Sequence, residues 1–108
     1  MGLQEAEASY RRNSNGYINR LSINAPAHVD QQVVSEILKQ PVLRIVINYS
    51  SDDNWVDGPR HRIIRQPDIR AIKGLPSEDK DEAIEKLAKE MHFAKKVTVD
   101  YLPPEKLS

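Results

Sequence analysis

The chain has 108 residues, 39% of them hydrophobic, with 16 Lys+Arg balanced by 16 Asp+Glu and no Cys. A chain of this length buries roughly two-thirds of the surface its unfolded form exposes, enough for one core and one domain. Zero formal charge argues against wholesale binding to DNA or acidic membrane, and the lack of Cys removes disulfides, thiolate metal sites and Cys nucleophiles while suggesting a reducing, cytoplasmic setting.

The start, Met1 to Glu5, has no basic or apolar leader region, and the longest wholly apolar run is Ile45-Val46-Ile47, so neither a signal peptide nor a membrane span is expected. Residues 1–16 are rich in charge and turn formers and are expected as a flexible arm. Tyr17 to Asn24 alternates with period two, placing Tyr17, Leu21 and Ile23 on one phase and Arg20, Ser22 and Asn24 on the other: a half-buried strand. Ala25-Pro26 ends it. Val29 to Lys39 then carries Val29, Val33, Ile37 and Leu38 at helical spacing, with Pro41 as the stop.

Val42 to Tyr49 is the clearest strand, with Leu43, Ile45, Ile47 and Tyr49 in phase and Val42, Arg44 and Val46 opposite. The polar loop Ser50 to Pro59 contains Asp57-Gly58, a hairpin pair, so Arg60 to Gln66 should return antiparallel. Pro67 interrupts it, and Asp68 to Lys73 is expected to continue it past a bulge or to form a short extra strand. Ser77 is positioned to cap a helix over 78–91, whose first turn is acidic and whose stripe is Ala83, Ile84, Leu87, Ala88 and Met91. Val97, Val99 and Tyr101 alternate with Lys96, Thr98 and Asp100 in a last strand, and 103–108 is expected as a loose tail after a domain spanning 17–102.

The order β-α-β-β-α-β predicts an α+β, two-layer sandwich of ferredoxin-like form, with two helices on one face of an antiparallel sheet. That architecture serves enzymes, RNA binders and regulatory modules alike, so function must come from sites. His28, His61 and His92 lie too far apart in sequence for a local metal site, and the EF-hand-like start at Asp53 fails because Trp55 and Ile64 stand where oxygen ligands are required. The isolated glycines open no phosphate loop, so no cofactor or metal is expected.

Three functional readings remain. In the ferredoxin-like order the strand 42–49 lies at a sheet edge, where Val42, Arg44 and Val46 could seed a homodimer or a protein contact. The lone Trp55, on a loop with Asp52, Asp53 and Asp57, either caps the hairpin end of the core or anchors a partner inside a polar rim. Together these predict a small non-enzymatic protein-interaction or regulatory module. One alternative is nucleic-acid binding through the phosphate-sized basic run Arg60, Arg62, Arg65 and Arg70; another is a small hydrolase using Asp52, Asp53 and His61. The strand phase facing away from the helices carries Arg20, Arg44, Thr98 and Asp100 without stacking aromatics and reads as a solvated face.

Overall fold

A computed structural model describes residues 7–12, 17–26, 28–52 and 54–103. Eight elements run in the order β1 (Glu7–Arg12), β2 (Ile18–Asn24), α1 (Gln31–Leu38), β3 (Val42–Asn48), β4 (His61–Ile64), α2 (Gln66–Lys73), α3 (Ser77–His92) and β5 (Lys96–Tyr101). The fold is mixed α+β: three helices on one face of a five-stranded, wholly antiparallel sheet ordered β1-β2-β5-β3-β4.

This order differs from the expected ferredoxin-like one, which would put β5 outside β2 and leave β3 at an edge. Two crossovers still interlock. β2 and β3 run parallel with β5 between them, and β4 and β5 run parallel with β3 between them. The flank of β2 that β5 would take is occupied by β1, which pairs from Glu7↔Asn24 to Arg12↔Ile18. Residues 7–12, expected as part of the flexible arm, are therefore a paired strand; the rest of the arm and the tail from 104 lie outside the described residues. β1 has a weak apolar signal because an edge strand directs only Ala8 and Tyr10 inward, and of these only Ala8 packs against the core.

The helix-facing side of the sheet is the core. Leu21, Ile23, Ile45, Ile47, Val97 and Val99 meet Val34, Ile37, Ile69, Ile84, Leu87 and Met91 in one buried cluster. α1 starts where Asp30 accepts the Val33 N–H at 3.0 Å. α3 begins one residue earlier than the capping argument predicts: Ser77 is already helical, and the Pro76 carbonyl accepts the Lys80 N–H at 2.8 Å. The segment expected as a continuing strand, 66–73, is instead α2. Pro67 falls in its first turn, where proline lacks nothing the helix needs, and Ile69 and Ile72 share a face at helical spacing.

A bulge changes the phase of β3. Val42 pairs with Tyr101 while Arg44 pairs with Asp100, so one extra residue lies between them. Val42 thereby points into the core (2% exposed) and Leu43 points out (36%), the reverse of simple alternation. The side-chain amide of Gln66, at the start of α2, donates to the Val42 and Leu43 carbonyls and ties off the backbone that the bulge releases.

Candidate functional site

The other face of the sheet is not open to solvent. Its phase presents Arg20 and Ser22 from β2, Thr98 and Asp100 from β5, Arg44, Val46 and Asn48 from β3, and His61 and Ile63 from β4. Val46, Asn48, His61, Thr98 and Asp100 are all buried. The β3–β4 loop folds back across them, held at its base by a polar latch. The Asp52 carbonyl accepts from Asn48 Nδ2 at 2.6 Å and from His61 Nε2 at 2.9 Å. Asn48 Oδ1 in turn accepts the Ser50 N–H at 2.9 Å, and Ser50 Oγ accepts the Asp52 N–H at 3.1 Å. A second turn follows, in which Asp52 Oδ1 accepts the Asn54 N–H at 2.9 Å.

The latch delivers Trp55 onto the sheet. Its ring lies 5.1 Å from the Arg20 guanidinium carbon and 5.4 Å from that of Arg44. Both distances are within cation–π range. The same two arginines converge on one carboxylate: Arg20 Nε donates to Asp100 Oδ1 at 2.6 Å and Arg44 Nε to Asp100 Oδ2 at 2.8 Å. Asp100 is the hub. Its side chain is only 8% exposed, against 25% for Arg20 and 39% for Arg44. Burial by itself would raise the Asp100 carboxyl, but the hydrogen bonds and charges of Arg20 and Arg44 outweigh it and hold the group below the usual carboxylate range.

Two guanidiniums fixed through Nε by a buried carboxylate make a rigid cationic seat. Trp55 rests on it, half-exposed. The aromatic side chain is thus neither loose on its loop nor part of the apolar core, a third arrangement between the two that the sequence suggested. Arg20 and Asp100 are the site residues that sequence reasoning missed. Their shared strand phase with Arg44 was visible, but an acid alone among basic phase-mates was read as solvated instead of as the partner both arginines need.

The remaining expected residues separate. Asp52 serves the loop through its backbone and its turn, Asp57 Oδ1 accepts the Ile63 N–H at 3.4 Å, and Asp53 lies outside the described residues. Val42 belongs to the core and Val46 is covered on the outer face, so neither offers a contact surface. β3 has a neighbour on each side, so its backbone cannot recruit another strand; the sheet edges are β1 and β4.

The basic run does not form one patch. Arg60 and Arg65 stand beyond opposite ends of β4, Arg70 lies on α2, and Arg62 is paired with Glu90 of α3 beside a shallow cleft of about 380 Å³ lined by Ile64, Asp68, Lys86 and Leu87. In the same region burial, helped by the Glu90 carboxylate and opposed by Arg62, raises the Tyr49 hydroxyl. For the hydrolase reading, His61 is buried and its Nε2 faces a carbonyl oxygen, which can only accept; that nitrogen therefore donates and is not free to take a proton from a water.

Among the described residues no group of His, Asp and Glu side chains is placed to hold a metal ion, and no helix is long and apolar enough to cross a membrane. Comparison with protein-family models, with curated proteins and with solved structures gave no match for this chain.

Proposed function

We propose that the protein is a small interaction module that docks a protein partner through the Trp55 loop on the outer face of its sheet. The observation that supports this reading is the seat itself: the only Trp of the chain sits half-exposed on two guanidiniums anchored by a buried acid. A large aromatic already held in place loses little freedom on binding, which is why rigid Trp side chains dominate interface energetics. Around it Asp52, Asp57 and Arg60 are exposed, and Val56 beside it is 63% exposed. They form a mixed polar rim around an apolar patch. A fitting partner offers an apolar recess for the indole with polar groups of complementary charge around it. The lack of Cys accords with a cytoplasmic setting for such a module.

The test is site-specific photo-crosslinking from Val56 in cells of the source organism, comparing wild type with Trp55→Ala. The proposal expects a defined protein adduct that resists nuclease and is lost in Trp55→Ala, with affinity for the identified partner lowered on the order of 30-fold. Adducts that vanish on nuclease treatment would replace this reading with nucleic-acid binding. Adducts unaffected by Trp55→Ala would remove Trp55 from the interface.

A further inference from the structure

We infer that the partner segment docked at Trp55 is acidic: an extended stretch of chain that crosses the outer face of the sheet with a carboxylate on each side of the residue covering the indole. This rests on the reading that a protein docks at Trp55, and it names the chemistry of what docks there.

The strand registers set four charged residues in one row. Arg11 of β1 lies opposite Arg20 of β2, Arg20 opposite Asp100 of β5, and Asp100 opposite Arg44 of β3. Directly opposed residues share a face, so the whole row stands on the outer side, with Trp55 over its Arg20 and Arg44 members. The two Asp100 oxygens are taken, one by Arg20 and the other by Arg44. Three guanidiniums thus stand against one carboxylate. Arg11 and Arg20 are, moreover, like charges directly opposed, an arrangement that costs a strand pair stability. An anion from outside offsets that cost.

The guanidiniums are oriented without being saturated. Among the described residues Arg20 and Arg44 bond through Nε to Asp100, and Arg11 bonds through Nε to Asn19 Oδ1 at 3.2 Å, a residue that the pairing of β1 with β2 skips. Bonding through Nε fixes the plane of the group and leaves its terminal amino groups for a second acceptor. Access to them lies at the two ends of the row. Arg11 is exposed and the Arg44 side chain is 39% exposed, whereas Arg20 lies deeper, at 25%.

The width of the row selects the occupant. Neighbouring strands lie about 4.8 Å apart, so the row from β1 to β3 spans roughly 14 Å, too far for one phosphate or one carboxylate to touch both ends. An extended chain rises about 3.4 Å per residue, so residues four apart on one of its faces are also separated by roughly 14 Å. A segment lying along the row therefore sets one acidic side chain at Arg11, an apolar one two positions on over Trp55, and a second acidic one at Arg44.

The probe is a synthetic peptide, capped at both ends, with glutamate, leucine and glutamate at alternate positions and serines between them. Its binding is followed by Trp55 fluorescence and by calorimetry at about 50 mM salt, where charge pairing is little screened. It should bind about tenfold or more tighter than the same peptide with glutamine in place of glutamate, and tighter than inorganic phosphate or an oligothymidylate. Arg11→Gln should weaken it about fivefold while leaving the melting temperature of the free protein unchanged or raised, because it removes the opposed like charges. Equal affinity for the glutamate and glutamine peptides overturns the proposal, and so does an affinity that Arg11→Gln leaves unchanged. Tighter binding of the oligothymidylate would assign the row to nucleic acid instead. Photo-crosslinking from Val56 separates this failure from that of the docking reading: an adduct lost in Trp55→Ala but kept in full by Arg11→Gln leaves the docking reading standing and removes the acidic segment.

Discussion

The two faces of one sheet are stabilised by different physics. On the helix side, apolar side chains from β2, β3, β4, β5 and the three helices interlock, and the stabilising term is the removal of apolar surface from water. On the outer side, a single loop covers a polar arrangement in which one buried carboxylate, two guanidiniums and one indole satisfy each other in series. The first face is tolerant in detail but costly to hollow out. The second has few members, and each depends on its neighbours, so its failures should be coupled.

The largest effect should come from the helix side. Leu87 is buried between α3 and the sheet, and Leu87→Ala should cost about 2–5 kcal/mol, read as a lowered denaturation midpoint. An unchanged midpoint would mean that α3 does not carry the core. On the outer face, Asp100→Asn keeps the shape but removes the charge that both arginines need, and should cost about 1–3 kcal/mol. The cost should depend on pH. Because the folded-state carboxyl titrates below its ordinary value of 3.8, its contribution is present above that value and is lost as pH falls through the lower folded value. The gap between wild type and Asp100→Asn should therefore close in acid; a constant gap would assign the effect to packing.

Tyr101 offers an opposite-signed probe on the helix side. Burial, with a smaller contribution from Tyr10, pushes its hydroxyl up to about 12, so the folded state favours the neutral phenol. Its contribution is full below the ordinary value of 10.0 and is lost as pH rises toward about 12. Tyr49 is raised as well, so phenolate absorbance should show a late phase from both tyrosines, of which Tyr101→Phe removes the Tyr101 part. The smallest expected effect is Arg44→Ala, which removes one partly exposed cation–π contact and one of two hydrogen bonds to Asp100, and should cost about 1 kcal/mol.

How legible each face was in the sequence follows from the same contrast. Period-two and helical spacing are local signals, and Leu21, Ile23, Ile45, Ile47, Ile84, Leu87 and Val99, expected in the core from them, are all buried. Two local signals misled. The alternation of Val42 to Tyr49 took no account of the bulge, which a sequence does not mark, and Pro67 was read as breaking a strand although the same residue suits a first helical turn. Strand order was not legible, because it turned on whether Ala8 and Tyr10 suffice to dock residues 7–12 beside β2. The Trp55 seat joins residues 20, 44, 55 and 100, which no local pattern connects; the shared phase of Arg20, Arg44 and Asp100 narrowed the choice, and only the pairing register brought them side by side.

The central claim is that Trp55 is held by the Arg20–Asp100–Arg44 seat, and the chain's single indole lets fluorescence test it directly. Emission maximum and acrylamide quenching should be measured for wild type, Asp100→Asn and the double variant Arg20→Ala/Arg44→Ala, all under conditions where circular dichroism shows a folded chain. The account predicts a partly shielded indole in wild type, with emission moving to longer wavelength and quenching rising in both variants, most in the double variant. Emission and quenching that stay the same across all three folded proteins would contradict it, because the ring would then be held by something other than those arginines.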